Sequence, residues 1–392
     1  MAVAKSCNDG PGGRIAAVRT ARRMTQGELA RAANVSLSMI RKLEQGSRKP
    51  SDNVLDAIAT ALGVDPSRLL NGASRHDGRV HDTIPFLRQV ITTCEFPDDG
   101  PVRPVPELLA DVNEAVEWRL QSQYVRLSSV LPGLIAELVR GLRSRSELAP
   151  LLVASYRAAD AIAYKYGYLD LSARLIDLMR QTSMLANDAL LRASTAYVRT
   201  EVFFATQTYQ AGQRALECEI DRLRACGDKS PTYFGVLGSL HMRAAVVAAR
   251  GGHVADALSH RDEARRLGEL VPEGIYYGTA FGPDSVRIHE VSLAVSLGDR
   301  HLRPALEIGD TWAPPSGMPA ERRSGFYIEL ARARLWAGAR EAAFDALRAA
   351  RRIAPQHTRE HPWAREDIET LLRLRRASND ELSSFADWLG VS

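Results

Sequence analysis

Residues 25–46, TQGELARAANVSLSMIRKLEQG, decide the N-terminal fold. Thr25 and Glu28 stand three apart ahead of an apolar-periodic run, the spacing of a capping box, so a helix is expected through Leu29 and Ala30 to Ala33. Asn34 suits a left-handed turn, because its short side chain tolerates positive φ. Ser36 can cap a further helix carrying Ile40 and Leu43, and Gly46 can stop it in the left-handed region. Ala30, Val35 and Ile40 are small or apolar where two such helices must cross. Upstream, residues 14–23 read as a helix with Ile15 and Val18 on one side and Arg19, Arg22 and Arg23 around them. Downstream, Pro50-Ser51 leads into a helix over 54–62, and Asp65-Pro66 is an N-cap and first-turn pair for a last turn to Leu70. Five short helices thus fit residues 14–70, with Leu29, Leu43, Leu55, Ile58 and Leu62 free to form a single core.

Three runs within this segment carry a resemblance: Thr25-Gln26 … Leu29-Ala30, Ile40 … Leu43-Glu44 … Gly46, and Ile58-Ala59-Thr60-Ala61-Leu62-Gly63. They strongly resemble the Cro/C1 (Xre-type) helix-turn-helix family, almost throughout 14–70. The resemblance implies a DNA-binding domain whose third helix enters the major groove with its first residues at base edges. By position it assigns Ser36, Leu37, Ser38 and Lys42 to base reading. Gln26, at the head of helix 2, would bond a phosphate, and Gln45, Arg48 and Lys49 would add phosphate contacts. Leu37 replaces a residue that is often polar and offers only apolar contact, for instance with a thymine methyl. Arg41 reads either as a DNA contact or as a solvated charge, and Met39 as core. The family often ties helix 1 to the end of helix 3 by an Arg–Glu pair, and Arg19 and Glu44 stand at those positions.

Charge supports a polyanion-binding N-terminus. Residues 1–72 hold 11 Lys+Arg against 6 Asp+Glu, whereas the other 320 residues hold 40 against 41. The 392-residue chain is 45% hydrophobic and 25% charged, enough for two or three domains with sizeable cores. Its best apolar run, residues 244–249, is far short of the ~18 residues a membrane span needs. Residues 1–13 are polar and glycine-rich without the apolar segment of a secretion signal, and four cysteines are too few and scattered for a disulfide scaffold. A cytoplasmic protein without membrane contact is expected.

The expected organisation is a disordered N-terminus over 1–13, the helix-turn-helix domain over 14–70, and a linker over 71–106. Residues 71–82 lack periodicity, one short helix spans 84–94, and four prolines between 97 and 106 imply an extended chain. From 107 onward no convincing strand is found, only amphipathic helical patterns. Gly167, Gln210, Gly252, Gly298 and Gly338 fall between such patterns at intervals of 40–46 residues. Recurring helix–turn–helix units of that length imply stacked hairpins. Gly252 with Ala257 and Ala264, and Gly338 with Ala343, Leu347, Ala350 and Pro355, approach the tetratricopeptide pattern of small residues where paired helices touch. The fold class expected is therefore all-α: a five-helix Cro/C1-type helix-turn-helix domain followed by an α-solenoid of tetratricopeptide-like hairpins over 107–392. An irregular helical bundle is the alternative.

Residues 131–135 (LPGLI), 277–283 (YGTAFGP) with Val286 and His289, and Pro362 resemble a group of actinobacterial regulators that join an Xre-type domain to a tetratricopeptide-like sensor. The architecture is more distantly similar to peptide-responsive quorum-sensing regulators. The resemblance implies a groove for a small-molecule or peptide effector and a homodimer built through the helical region. Around it, Tyr276, Tyr277 and Phe281 cluster in a chain only 6% aromatic, and Val286, His289, Glu290 and Leu293 share one side of the next helix. Two readings stand. The aromatics seal a junction between repeats with His289 a core histidine, or they form a pocket wall with His289 and Glu290 as polar anchors. The phosphate-binding, nucleophile-elbow and dinucleotide glycine motifs of common enzymes are missing, so no catalytic residue and no cofactor are expected. His357 and His361 with Glu360 have ligand-like spacing but lie between Pro355 and Pro362, where a solvated loop is the better reading than a metal site. Cys218 and Cys226, eight apart, read as buried or idle thiols rather than a redox switch. A transcriptional regulator is the function expected. The rivals are a DNA-anchored scaffold whose repeats bind a partner protein, and an enzyme of unrecognised type.

Overall fold

The computed structural model describes residues 11–22, 24–48, 50, 52–62, 64, 69, 77–374 and 380–391. Its first helices are α1 (Pro11–Ala21), α2 (Gln26–Ala32), α3 (Leu37–Glu44) and α4 (Asp52–Leu62). The local signals act as their chemistry requires. Thr25 and Glu28 form the reciprocal capping box on α2. Asn34 turns the chain at φ +52, Ser36 caps α3 by accepting from Met39 N–H, and Gly46 ends it at φ +71. Ile15, Leu29, Ile40, Leu43, Leu55, Ile58 and Leu62 are buried together in one core, joined by Leu69. The fifth helix expected over 65–70 and the phosphate contact Lys49 lie outside the described residues, Leu69 excepted.

Two N-terminal boundaries differ from expectation. Residues 11–13 are not part of a disordered tail: α1 starts at Pro11, a residue pre-set for a first helical turn. Gly12 is then pressed so closely on α3 that an added Cβ would lie 1.8 Å from the Leu43 carbonyl oxygen. The linker helix is longer than the 84–94 expected. α5 runs Asp77–Thr92 with Pro85 inside it, because Val80, Ile84, Leu87 and Ile91 form one buried stripe at helical spacing that outweighs the polar residues between them. Residues 97–104 form no helix or strand, in keeping with Pro97, Pro101 and Pro104, while Pro106 falls in the first turn of the next helix.

The chain divides into two compact units, 1–85 and 86–392. The second contains six antiparallel helical hairpins: α6 (Val105–Leu120) with α7 (Tyr124–Leu142), α8 (Ala149–Lys165) with α9 (Leu169–Leu185), and α10 (Ala189–Ala205) with α11 (Tyr209–Ala225). After these come α12 (Pro231–Arg250) with α13 (Val254–Gly268), α14 (Pro283–Leu297) with α15 (Arg303–Thr311), and α16 (Ala320–Trp336) with α17 (Arg340–Ile353). Three helices follow: α18 (Pro355–Glu360), α19 (Pro362–Leu374) and α20 (Asp380–Leu389). Turns at Gly167, Gly252, Gly298 and Gly338 take positive φ, as the repeat pattern predicts. Gln210 is not a turn residue. It is the second residue of α11, and Gln207 turns the chain at φ +55, so the expectation of a break at 210 is corrected by three residues. Ala257, Ala264, Ala343, Leu347 and Ala350 are all buried where paired helices meet.

The first helices of the hairpins pack in succession, α6 on α8, α8 on α10, α10 on α12, α12 on α14 and α14 on α16. α16 then packs back on α6, closing the succession into a ring. Lys165 of α8 meets Glu321 of α16 at 2.6 Å, and Val125 N–H donates to Gln356 Oε1 at 3.1 Å across the closure.

One sheet departs from the all-helical expectation. β1 (Gly274–Tyr276) and β2 (Thr279–Phe281) form an antiparallel hairpin between α13 and α14, with Tyr276 opposite Thr279. Its two-residue turn, Tyr277-Gly278, has φ of +47 and +75, the geometry of a type I′ turn. Three-residue strands are too short to show an alternation, which is why the strand pattern was silent. Gly235 and Gly238 on α12 admit this hairpin. An added Cβ would lie 2.3 Å from the Tyr276 ring at the first position and 1.9 Å from the Phe281 ring at the second.

Candidate nucleic-acid interface and central cavity

In the N-terminal unit, Ile40 and Leu43 turn one side of α3 into the core, which leaves Ser38, Arg41, Lys42 and Gln45 on the opposite, exposed stripe at i, i+3, i+4, i+7 spacing. Leu37 is 37% exposed beside them, and Arg48 is exposed just past the helix. Arg41, Lys42 and Arg48 make no ion pair with a described residue, so their charges face solvent uncompensated. Ser36 is committed to the helix: its Oγ accepts from Met39 N–H and lies 3.1 Å from Ser38 Oγ. Gln26, half-buried at the head of α2, donates through Nε2 to Glu44 Oε2 at 2.7 Å and keeps one further N–H for a phosphate.

Glu44 is the hub of this arrangement. Arg19 grips it in a two-point fork, Nε to Oε1 at 2.7 Å and Nη2 to Oε2 at 2.9 Å, with side chains 15% and 6% exposed. Arg19 Nη1 also donates to the Met24 carbonyl, so one guanidinium locks α1, the α1–α2 turn and α3. The hydrogen bond to Glu44, stronger than the cost of burial, raises the Arg19 guanidinium pKa still further.

The second unit holds a cavity of about 230 Å³ at the centre of the ring. Each first helix contributes to it: Arg119 from α6, Arg157 and Asp160 from α8, Tyr197 and Glu201 from α10, Arg243 from α12, Ser292 from α14, and Glu321, Arg322 and Glu329 from α16. The β-hairpin closes one side with Gly278, Thr279 and Ala280. Its strained turn is held by arginines. Arg157 donates to the Tyr277 carbonyl at 2.6 Å and to Thr279 Oγ1 at 2.7 Å, and Arg119 donates to the Gly278 carbonyl at 2.7 Å. Tyr277 adds a hydrogen bond from its hydroxyl to Asp188, the N-cap of α10. A non-glycine residue at positive φ persists only where surrounding contacts over-determine it, and here they do.

Burial dominates the ionisation of the lining. It pulls the Arg157 guanidinium down to about 9, with Arg119 adding to the effect. Burial and the neighbouring Glu201 push the Asp160 carboxyl well above the carboxylate range. Glu329 is pushed up to about 7 by burial against the opposing hydrogen bond from Ser292. Glu321 goes the other way: burial would raise it, but Lys165, His357 and Arg119 together hold it at about 2. The Tyr197 phenol, which burial alone would raise, is lowered by Arg243, Arg322 and Arg157.

The five ligand candidates named from the sequence are not brought together on this cavity. Phe281 is fully buried against Gly238, Tyr276 lies over Gly235, and Tyr277 points to Asp188. His289 and Glu290 line a separate small pocket with Met242 and Arg261. Glu290 is paired with Arg265, and burial lowers His289 well below the ordinary imidazole value. The segment does reach the cavity, but through the turn residues next to the aromatics. The expectation of a solvated loop at His357 and His361 is overturned. His357 sits in α18, is buried, and hydrogen-bonds Ser324 at 2.6 Å, and both histidines line the cavity because the ring closes over them. Burial brings His357 down to about 3, and it is neutral. The cavity arginines were missed. The signal that could have found them is a charge inside an apolar run, as at Arg243 within VLGSLHMRAAVVAA.

Residues 15–69 match the family model described as Helix-turn-helix. The first unit is thus a helix-turn-helix domain of Cro/C1 (Xre) type. The chain is similar to the immunity repressor protein of Bacillus phage phi105, 41% identical over 59 residues that make up 15% of this chain. It spans 41% of that repressor's length. Among solved structures, it is similar to PlcR of Bacillus thuringiensis in complex with the peptide PapR7 and DNA, at 15% identity over 66% of this chain and 94% of that one, with a TM-score of 0.31. The apo form of the competence regulator ComR from Streptococcus vestibularis matches at 12% identity over 99% of this chain and all of that one, with a TM-score of 0.25. Scores this low establish no common fold. Among the described residues no helix is long and apolar enough to cross a membrane.

Proposed function

We propose that the chain is a sequence-specific DNA-binding transcriptional regulator, not an enzyme, whose DNA affinity is set by a small-molecule or peptide effector in the ring cavity. The observation that carries this is the exposed stripe of α3, with Arg41 and Lys42 uncompensated on a helix whose start, end and tilt are fixed by Ser36, Gly46 and Glu44. A pre-positioned helix with free donors on its outer face is what major-groove reading requires. Ser38 and Lys42 then meet base edges with Leu37 giving apolar contact. Ser36 positions the helix, and Gln26, Arg41, Gln45, Arg48 and Lys49 serve backbone phosphates. One such unit spans few base pairs, so the working form is a homodimer on paired half-sites, joined through the second unit. The effector seat is the cavity rather than the segment of Tyr276, Tyr277, Phe281 and Glu290, since those side chains are spent on packing or pairing, and His289, whose Nδ1 is buried without a partner, faces only a small separate pocket.

Selection from random duplexes followed by anisotropy titration tests this. Affinity should fall steeply with salt. Lys42→Ala should relax preference at one position, at a cost of about 1–3 kcal/mol, whereas Arg48→Ala should weaken all sequences alike. Cell extract should change the affinity of the wild-type chain, and sedimentation at micromolar concentration should show a dimer. Salt-independent binding, or none, would remove the regulator reading.

A further inference from the structure

Arg243 stands on α12 among buried Ala244, Ala245 and Val247 and lines the cavity. Its guanidinium carbon lies 4.1 Å over the centre of the Tyr197 ring. It has no carboxylate or hydrogen-bond partner among the described residues, and its Nε is closed off from solvent with nothing to donate to. Arg119 shows the same defect: Nη2 is taken by the Gly278 carbonyl, while Nε is buried and unpaired. On α10, Glu201 Oε2 is buried and meets no N–H or hydroxyl donor, its neighbour being the Asp160 carboxyl. A buried polar atom left unpaired costs the full desolvation of that group, more when it is charged, so three of them on side chains that line one cavity point to a ligand there.

We infer that the cavity binds a small organic acid, whose carboxylate or phosphate is taken by Arg243 and Arg119 and whose hydroxyl or ammonium group donates to Glu201. This rests on the effector reading above and narrows it. A planar guanidinium stacked on a phenol ring is pre-organised to receive a planar or tetrahedral oxyanion. The acids of the lining do not cancel its cations. Burial pushes the Asp160 carboxyl well above the usual carboxylate range, Glu329 is partly protonated at neutral pH, and Glu321 is committed to Lys165. Size points the same way. A cavity of about 230 Å³ has room for a small metabolite.

The test is thermal melting and calorimetry on the full chain at constant ionic strength. The probes are inorganic phosphate, L-lactate and L-glutamate, against glucose, spermidine and sodium chloride as controls. At least one acid should raise the melting temperature saturably beyond the chloride control. Arg243→Gln should weaken that acid about tenfold or more and Arg243→Lys less, with the unliganded variants binding DNA as the wild type does. Should Arg243→Gln not fold, Glu201→Gln provides the second reading, weakening L-glutamate and L-lactate more than phosphate. Stabilisation by glucose or spermidine alone, no response to any of the acids, or equal binding by Arg243→Gln overturns the inference. Extract separates it from the broader reading. An extract effect on DNA affinity that disappears after anion-exchange depletion supports the acid. One that survives depletion overturns the acid and leaves the regulator standing.

Discussion

The two units differ in where their cations point. In the helix-turn-helix unit the unpaired cations Arg41, Lys42 and Arg48 face outward, within eight residues of one another. In the repeat unit the guanidinium groups of Arg119 and Arg243, neither of them paired with a carboxylate among the described residues, face inward and are brought together only when six hairpins close a ring. A surface that reads a long polymer must project, and neighbouring residues of a single helix suffice to build it. A site that encloses a small molecule must converge, and its residues are drawn from distant parts of the chain.

The largest effect should come from the hub of the first unit. Glu44→Ala leaves the Arg19 guanidinium, 15% exposed, without its carboxylate and frees Gln26 as well. Breaking a largely buried pair on one side costs roughly 3–5 kcal/mol. A melt of the full chain should lose the transition of the first unit, and DNA binding with it, while the ring transition stays. Equal loss in both transitions would show that the two units do not fold independently.

Next is the seat of the β-hairpin. Gly238→Ala puts a methyl 1.9 Å from the Phe281 ring, which is fully buried and has no space to retreat. Overpacking of this kind costs roughly 1–3 kcal/mol. Because the hairpin turn forms one side of the cavity, ligand stabilisation should fall as well, with DNA binding by the first unit unaffected. Urea melts of both forms, with and without extract, give the measurement.

These differences explain what could be read from the sequence. The capping box, Asn34, Ser36 and Gly46 act over three to five residues, so residues 25–46 show their fold directly. The repeat period was visible too, through Gly167, Gly252, Gly298 and Gly338, but not the closure of α16 on α6, which joins residues some two hundred positions apart. The Val80, Ile84, Leu87, Ile91 stripe was present but masked by the polar residues between its members. Aromatic clustering drew attention to Tyr276, Tyr277 and Phe281, yet aromatics mark burial before binding. Their value here is to place Gly278 and Thr279 at the cavity.

The ring should also carry a pH signature. Glu329 has a raised value of about 7 in the folded chain against an ordinary glutamate value of 4.5 unfolded. The folded state therefore holds this proton more tightly. Its contribution is fully present below pH 4.5 and is lost as pH rises through 7. Glu329→Gln removes the penalty, so it should stabilise the ring by about 3 kcal/mol at pH 8 and by little at pH 4.5. Denaturant midpoints at the two pH values measure it, and an equal effect at both would show that burial does not control this carboxyl.

The smallest expected effect bears on Ser36, the residue where structural and reading roles overlap. Its Oγ accepts from Met39 N–H at the start of α3, and it touches Ser38 Oγ at 3.1 Å. A cap serine replaced by alanine costs about 1 kcal/mol, so Ser36→Ala should lower the melting temperature of the first unit slightly. Ser36→Asp keeps a capping oxygen, places negative charge at the positive end of the helix and should restore that stability. On DNA the same aspartate would repel phosphate and lose the affinity that alanine keeps. Ser38, exposed and not a cap, should show the reverse: Ser38→Ala leaves melting unchanged and alters preference at one base position. If Ser36→Ala instead changes sequence preference without changing stability, Ser36 reads bases directly, and the outward face begins one residue earlier than the exposed stripe of α3.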